Sequence, residues 1–422
     1  MAAADIHCTI ETIFRIESPR LIARLARMLR DVGAAEELAQ DALVAALEQW
    51  PTAGIPQNPG AWLMASSKNR AIDQLRRRKM LDRKHETLSY DIETDQDDVD
   101  PHAALDDDIG DDMLRLVFTA CHPVLSTEAR AALTLRLLGG LTTQEIARAF
   151  LVPEPTIAQR IVRAKRTLSD KQVPFEVPRG AELAGRLSSV LEVIYLIFNE
   201  GYSATAGEDL MRPALCEDAL RLGRILAELA PRESEVHGLV ALMEIQASRT
   251  RARTDRSGKA VLLLEQNRAL WDQLLIHRGL AALARSEATA VALGPYALQA
   301  AIAVCHARAV RPEDTDWKRI AALYDQLSIV APSPVIELNR AVAVAMAFGP
   351  QAGLELVDTL LTEPALAQYH LLPGVRGDLL QKLGRTHEAR AEFEKAAAMT
   401  GNQRERELLL ERAAGCRAPE TQ

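Results

Sequence analysis

Apolar residues recur at three- and four-residue steps along most of the chain, and no run alternates apolar with polar as a half-buried strand would. Residues 5–30 carry Ile10, Ile13, Phe14, Leu21, Ile22, Leu25, Met28 and Leu29 on one stripe, interrupted after them by Asp31 and Gly33. A second helix is expected over 35–50, with Leu38, Ala42, Ala45 and Ala46 on one side and Glu37, Gln40, Asp41 and Glu48 on the other. A Pro/Gly loop, 51–59, separates it from a third helix over 60–80. That helix has an apolar line of Leu63, Ala71, Ile72 and Leu75 and a polar line of Lys68, Asn69, Asp73, Arg76 and Arg77. Residues 113–138 hold two further amphipathic stretches, the second capped by Ser126. Beyond Pro174 the periodicity predicts helices over 181–199, 213–230, 233–249, 258–277, 279–291, 295–309, 315–330, 334–347, 351–361, 366–383, 386–399 and 402–414, punctuated by Pro and Gly. The expected fold class is all-α.

The segment 141–168, LTTQEIARAFLVPEPTIAQRIVRAKRTL, has the sharpest local grammar. Thr142 and Thr143 stand where an N-cap belongs, and Ile146, Ala147 and Phe150 form a short buried stripe. Val152-Pro153-Glu154-Pro155 stops that helix, because proline lacks an amide donor and restricts the residue before it. Ile157, Ile161, Ala164 and Leu168 then form a second stripe, with Thr156 near its start. The outer face of this second helix carries Gln159, Arg160, Arg163, Lys165 and Arg166. Helix, short turn and basic helix together predict a helix-turn-helix. Such a motif lays its second helix in the DNA major groove, where arginine and lysine meet phosphates and guanine edges and glutamine can pair with adenine. A helical hairpin with a solvated basic face is the plainer alternative. The turn has Leu151 where many such motifs have glycine, so a turn of different construction is expected.

Charge sharpens this picture. The 422 residues carry a formal net charge of −8, which by itself argues against nucleic acid. The distribution is uneven, however. Residues 1–88 and 115–171 are each net basic, whereas 89–114 hold 11 acids and no Lys or Arg. Local charge decides phosphate binding. Lys68 to Lys84 holds eight basic residues beside Trp62 and Asn69, a combination suited to single-stranded DNA, where bases stack on rings and the backbone follows the charge. Abundant Ala and Leu with only 4% aromatics favour helices. The sequence has neither an 18-residue apolar run nor a leader, and its five dispersed cysteines form no ligand cluster. A cytoplasmic, non-enzymatic protein with reduced thiols and no cofactor or metal is therefore expected. Cys121-His122 is a nucleophile or metal pair in appearance, yet has no third partner in the sequence.

Two motifs in the right order give the chain a resemblance to bacterial RNA polymerase sigma factors of the extracytoplasmic function (ECF) type. AEELAQDALVAALEQW resembles region 2.2, NPGAWLMASSKNRAIDQLRRRK regions 2.3 and 2.4, and LTTQEIARAFLVPEPTIAQRIVRAKRTL region 4.2. The resemblance implies that Glu37, Leu38 and Asp41 face the β′ clamp helices of core polymerase. It implies that Trp62, Lys68, Asn69, Arg70, Asp73, Arg76 and Arg77 serve the −10 element. In this family the loop before that helix, here roughly 54–59, captures a flipped base, and Asn58 is its best polar candidate. Thr156, Gln159, Arg160, Arg163 and Lys165 match the −35 reader. The expected domains are sigma region 2 over 5–88, an acidic linker over 89–112, sigma region 4 over 113–172 and a helical extension over 180–417. In the family such a linker runs toward the RNA exit path; composition alone reads it as a solvated tether.

The extension is longer than an ordinary ECF factor carries. LLPGVRGDLLQKLGRTHEARAEFEKAAAMT resembles one tetratricopeptide (TPR) repeat, and a looser copy spans Pro334 to Leu361. The two turn glycines, Gly349 and Gly384, are separated by close to the 34 residues of that repeat. FNEGY (198–202), PALCEDALRLGR (213–224), GPYALQAAIA (294–303), TDWKRIAALYDQL (315–327) and PVIELNRAVAVA (334–345) resemble an ECF group with a long TPR-like C-terminal domain. Asn199, Glu200, Tyr202, Trp271, Asp272, Asp316, Trp317, Asn339 and Arg340 read either as buried polar residues that satisfy helix ends or as a pocket for a peptide or small ligand. The resemblance implies a sigma factor with core polymerase, including its β subunit, and promoter DNA as partners, and with a regulatory protein or ligand on the C-terminal domain. A one-component helix-turn-helix regulator with a ligand- or peptide-sensing helical domain remains the alternative, as does a helical scaffold.

Overall fold

The structure is a computed structural model and describes residues 3–68, 70–72, 109–150, 152–203, 210–256 and 258–416. Asn69, Asp73, Arg76, Arg77, Leu151 and most of the acidic strip lie outside the described residues. The described elements are helical, apart from a single isolated bridge between Thr254 and Ala260. No helix among them is long and apolar enough to cross a membrane. The backbone contacts divide the chain into two compact units, residues 1–194 and 195–422. The boundary falls inside one helix rather than in a loop.

The first unit begins with α1 (Ala3–Leu29) and α2 (Val32–Ala53), which pack on each other. Asp31 does not merely interrupt: its carboxylate accepts from the Ala34 amide at 3.0 Å and starts α2, with Gly33 inside the first turn. A third helix, α3, follows over 59–68 and 70–72. Ser67, buried, donates to Leu38 O and Leu63 O and ties α3 to α2. α4 (Ile109–Ala120) and α5 (Thr127–Leu137) follow, the latter capped by Ser126. α4 starts within the acidic strip. Its Asp112 is buried and paired with Arg115 (2.6 Å) and Arg27 of α1 (3.5 Å), so the end of that strip is structural. α6 (Thr143–Phe150) opens with a reciprocal cap, in which Thr142 Oγ1 accepts from Glu145 N and Glu145 accepts from Thr142 N. α7 (Glu154–Asp170) starts with Pro155 in its first turn, where a missing amide costs nothing. Ile157, Ile161, Ala164 and Leu168 are buried as the spacing requires.

α8 (Ala181–Tyr202) carries the boundary between the units. Its first half is stitched to α4 and α5. Arg186 donates to Phe118 O at 2.9 Å, Ser189 donates to Cys121 O at 2.8 Å, and buried Arg130 reaches Ser189 and Glu192. Helix carbonyls left open at the end of α4 are thereby satisfied.

The second unit is a succession of helices: α9 (Pro213–Leu229), α10 (Ser234–Ala247), α11 (Gln273–Thr289), α12 (Pro295–Arg308), α13 (Trp317–Val330), α14 (Pro334–Phe348), α15 (Pro350–Thr359), α16 (Leu371–Lys382), α17 (Thr386–Met399) and α18 (Gln403–Gly415). Each packs on its successor. α14/α15 and α16/α17 are the two repeat-like hairpins. Gly349 (φ 107°) and Gly384 (φ 77°) take the left-handed backbone that makes each turn. A Cβ on Gly353 would fall 2.4 Å from that of Ala345, and one on Gly377 would fall 2.9 Å from the Phe393 ring, so small residues set both crossings. The expected helix over 258–277 forms only from Gln273, where α11 begins. Asp255 accepts from Lys259 N, Val261 N bonds Arg253 O, and Asp272 caps the two amides that begin α11. These local bonds hold a turn and one short 3-10 segment, Arg268–Leu270, where hydrophobicity alone suggested a helix.

Candidate nucleic-acid interface

On the α2–α3 side, Glu37 and Asp41 are exposed and Leu38 is buried at 8%. Leu38 therefore belongs to the core under α2, and only the two acids of the expected polymerase-facing set present side chains outward. Asp41 pairs with exposed Arg70 at 3.1 Å, which links the expected polymerase face to the expected −10 face. Exposed pairs of this kind contribute about 0.2–1 kcal/mol. Asn58 is exposed, and its Oδ1 accepts from the Ala61 amide at 3.0 Å, so it caps α3. Trp62 is half-buried. Its ring lies edge-on to buried Trp50, with centroids 5.3 Å apart and planes at 70°, which fixes the indole beside the 54–59 loop. Lys68 is half-buried. The remaining candidates on this face, Asn69, Asp73, Arg76 and Arg77, are outside the described residues.

On the helix-turn-helix side, α5 and α6 both pack on α7. Gln159, Val162, Arg163 and Arg166 of α7 are exposed; Thr156 and Arg160 are half-buried. Arg163 and Gln159 present a cationic and an amide group one helical turn apart on this face. Arg166 is partly occupied by Asp170 at 3.4 Å.

Lys165 is placed differently from the rest. Its Nζ is ion-paired with Glu36 of α2, and Arg136 of α5 donates to the other oxygen of the same carboxylate at 2.6 Å. Glu36 is only 4% exposed. Arg136 also reaches Leu141 O at the turn before α6. Arg15 of α1 and Glu145 of α6 approach to 3.6 Å, and a Cβ on Gly140 would lie 3.1 Å from Arg15 O. One buried carboxylate thus joins the two modules, and Lys165 is committed to it instead of facing outward with Arg163.

Cys121 and His122 have structural roles. Cys121 is buried, contacts Thr134 Oγ1 at 3.3 Å, and burial pushes its thiol up to about 11. His122 Nδ1 accepts from the Val124 amide, holding the α4–α5 turn. In the second unit, Asp272 and Asp316 cap α11 and α13, Glu200 pairs with Arg212, and Arg340 pairs with Glu337 and Asp325. The helix-end reading holds for Asp272 and Asp316, while Glu200 and Arg340 are held in ion pairs. Trp271 is buried but meets arginines, which the sequence did not signal.

Residues 13–80 match the family model "Sigma-70 region 2", residues 115–168 match "Sigma-70, region 4", and residues 186–287 match a family of unknown function, DUF6596. An uncharacterized protein of Rhizobium meliloti (strain 1021) is 43% identical over 387 residues, covering 91% of this chain and 90% of that protein. The ECF RNA polymerase sigma factor SigK of Mycobacterium ulcerans (strain Agy99) is 30% identical over 156 residues, covering 35% of this chain and 78% of that protein. No solved structure matches.

Proposed function

The chain belongs to the ECF RNA polymerase sigma factors, and from that premise we propose how it selects promoters. The exposed acids Glu37 and Asp41 dock on the clamp helices of β′ in core polymerase. Trp62, Lys68 and Arg70, with Asn69, Asp73, Arg76 and Arg77, engage the opened −10 strand, and the loop capped by Asn58 receives an unstacked base. Thr156, Gln159, Arg160 and Arg163 read the −35 element in the major groove. No bond is made or broken by the protein; it contributes positioning and strand capture. The single observation that supports this best is the open face of α7, where Gln159 and Arg163 stand exposed on a helix whose opposite stripe is fully buried.

Reading both elements requires the modules to separate. The −10 and −35 elements are about 25 base pairs apart, ~85 Å along B-form DNA at ~3.4 Å per step. In the free chain the two modules are joined through Glu36, so this arrangement is closed and must open on the polymerase. Lys165 then exchanges Glu36 for phosphate. The helical domain after α8 is proposed to regulate this step in response to a ligand or a protein.

Run-off transcription with purified core polymerase and a candidate promoter tests the reading. Initiation should require this protein. Arg160→Ala with Arg163→Ala should reduce −35-dependent initiation by an amount set by two contacts worth ~1–3 kcal/mol each, while leaving association with core polymerase intact. Normal initiation by the double variant would remove α7 from the −35 role.

A further inference from the structure

The second unit contains positive charge that the sigma factor reading does not use. Arg249 and Arg253 follow α10, and Arg268 lies at the short 3-10 segment before α11. Arg253 sits 3.7 Å over the Tyr202 ring and donates to Tyr202 O. Arg268 sits 5.0 Å over the Trp271 ring and donates to His306 O, Ala309 O and Thr315 Oγ1. Arg249 lies between the two rings, 5.7 Å from Tyr202 and 5.8 Å from Trp271. Two guanidinium groups are therefore anchored, and the middle one is not.

Arg249 makes no side-chain hydrogen bond and no ion pair with the described residues, and its Nε is shielded from solvent without a partner. Arg268 Nε, Trp271 Nε1 and His306 Nδ1 are likewise shielded and without a partner among the described residues. Among the described residues, carboxylates act on these arginines only from beyond ion-pair range. Glu405 is engaged by His370 and Thr400, and Asp314 by Arg311. Burial lowers the basicity of Arg253 and Arg268, and repulsion from Arg249 acts in the same direction on both. Burial, followed by the positive charge of Arg249 and Arg268, pushes His306 down to about 4, so the imidazole is neutral and offers no negative charge. Three crowded cations with several unfilled donors are unfavourable unless an anion joins them. Arg249 keeps part of its surface in solvent, so an anion can reach it.

We propose that Arg249, flanked by Arg253 and Arg268 on the faces of Tyr202 and Trp271, is a receptor for one oxyanion group, carboxylate or phosphate, of a small-molecule ligand. Guanidinium donors match either group in a bidentate fork, and the fixed rings keep the outer two cations in place. All these residues except His306 fall within the matched family of unknown function. The site gives the regulatory role of the C-terminal domain a ligand class, yet its test needs neither polymerase nor promoter, so the two readings fail separately.

Titration calorimetry of the full chain with inorganic phosphate and with citrate, against chloride at matched ionic strength, tests it. One saturable site is expected for phosphate or for citrate and none for chloride. A response to phosphate alone marks a phosphoester ligand, and a response to citrate alone marks a carboxylate. Arg249→Gln should weaken that binding about tenfold or more, the loss expected when a charge-assisted hydrogen bond is removed. Arg285→Gln, at an exposed arginine on α11, should bind as the parent does. If Arg249→Gln fails to fold, Arg249→Lys serves instead: it keeps the charge without the fork and should bind measurably more weakly. Equal binding by the parent and the Arg249 variant, or no saturable binding of either probe, overturns the proposal.

Discussion

Glu36→Gln should destabilise the first unit and open it. The substitution keeps the shape of the side chain and removes the charge that holds Arg136 and Lys165. Breaking one partner of a fully buried ion pair costs about 3–5 kcal/mol. Arg136 and Lys165 retain 20% and 21% of their side-chain surface in solvent, which lets water recover some of the loss. A drop of roughly 2–3 kcal/mol in the unfolding free energy is the expected result. The same change releases α7 from α2. Each ~1.4 kcal/mol taken from the closed arrangement raises the open fraction about tenfold, and binding to an isolated −35 duplex rises with it until the open form dominates. Removing any acid near DNA also helps binding through charge alone. Glu37→Gln supplies the control, because Glu37 is exposed and adjacent. Glu36→Gln should gain clearly more affinity than Glu37→Gln, and should show the thermal shift that Glu37→Gln lacks. Identical behaviour of the two variants would mean that the buried carboxylate does not hold the modules together.

Phe393→Ala should cost about 3–5 kcal/mol in the second unit, as truncation of a fully enclosed ring usually does. Phe393 has no exposed surface. Its ring fills the space left by Gly377 on the facing helix, and Arg412 of α18 stacks over it at 4.3 Å. Three successive helices therefore share one side chain. Because the α16–α17 backbones are held close by Gly377, the surroundings have little room to collapse into the cavity. Chemical denaturation monitored by circular dichroism reads the effect, and a loss below about 1 kcal/mol would show that this hairpin is not packed as described.

Much of this fold is legible in the sequence. The cap at Thr142, the proline stop and the buried stripe of α7 follow from local chemistry, and each stands where the spacing placed it. Gly349 and Gly384 were identifiable as equivalent turns because only a residue without Cβ adopts that backbone freely. The errors share a cause. Residues 258–277 have helical hydrophobicity, but Asp255 and Asn267 divert the backbone into turns through side-chain bonds, and the helix starts only at the Asp272 cap. The Glu36 pairing joins residues 100 positions apart, and the arginine cluster draws on several helices and the loops between them. Neither leaves a periodic trace, because partner choice across such distances is decided by packing and not by local sequence.

Where one would cut this protein to isolate its promoter-reading half follows from α8. A chain ended near residue 180 would leave Arg130 with two of its three acceptors gone and the Phe118 and Cys121 carbonyls without donors. The fragment would misbehave for reasons unrelated to any signal the discarded portion senses. A stop placed after Ile194 keeps those bonds, and only that longer fragment can separate lost control from lost scaffolding.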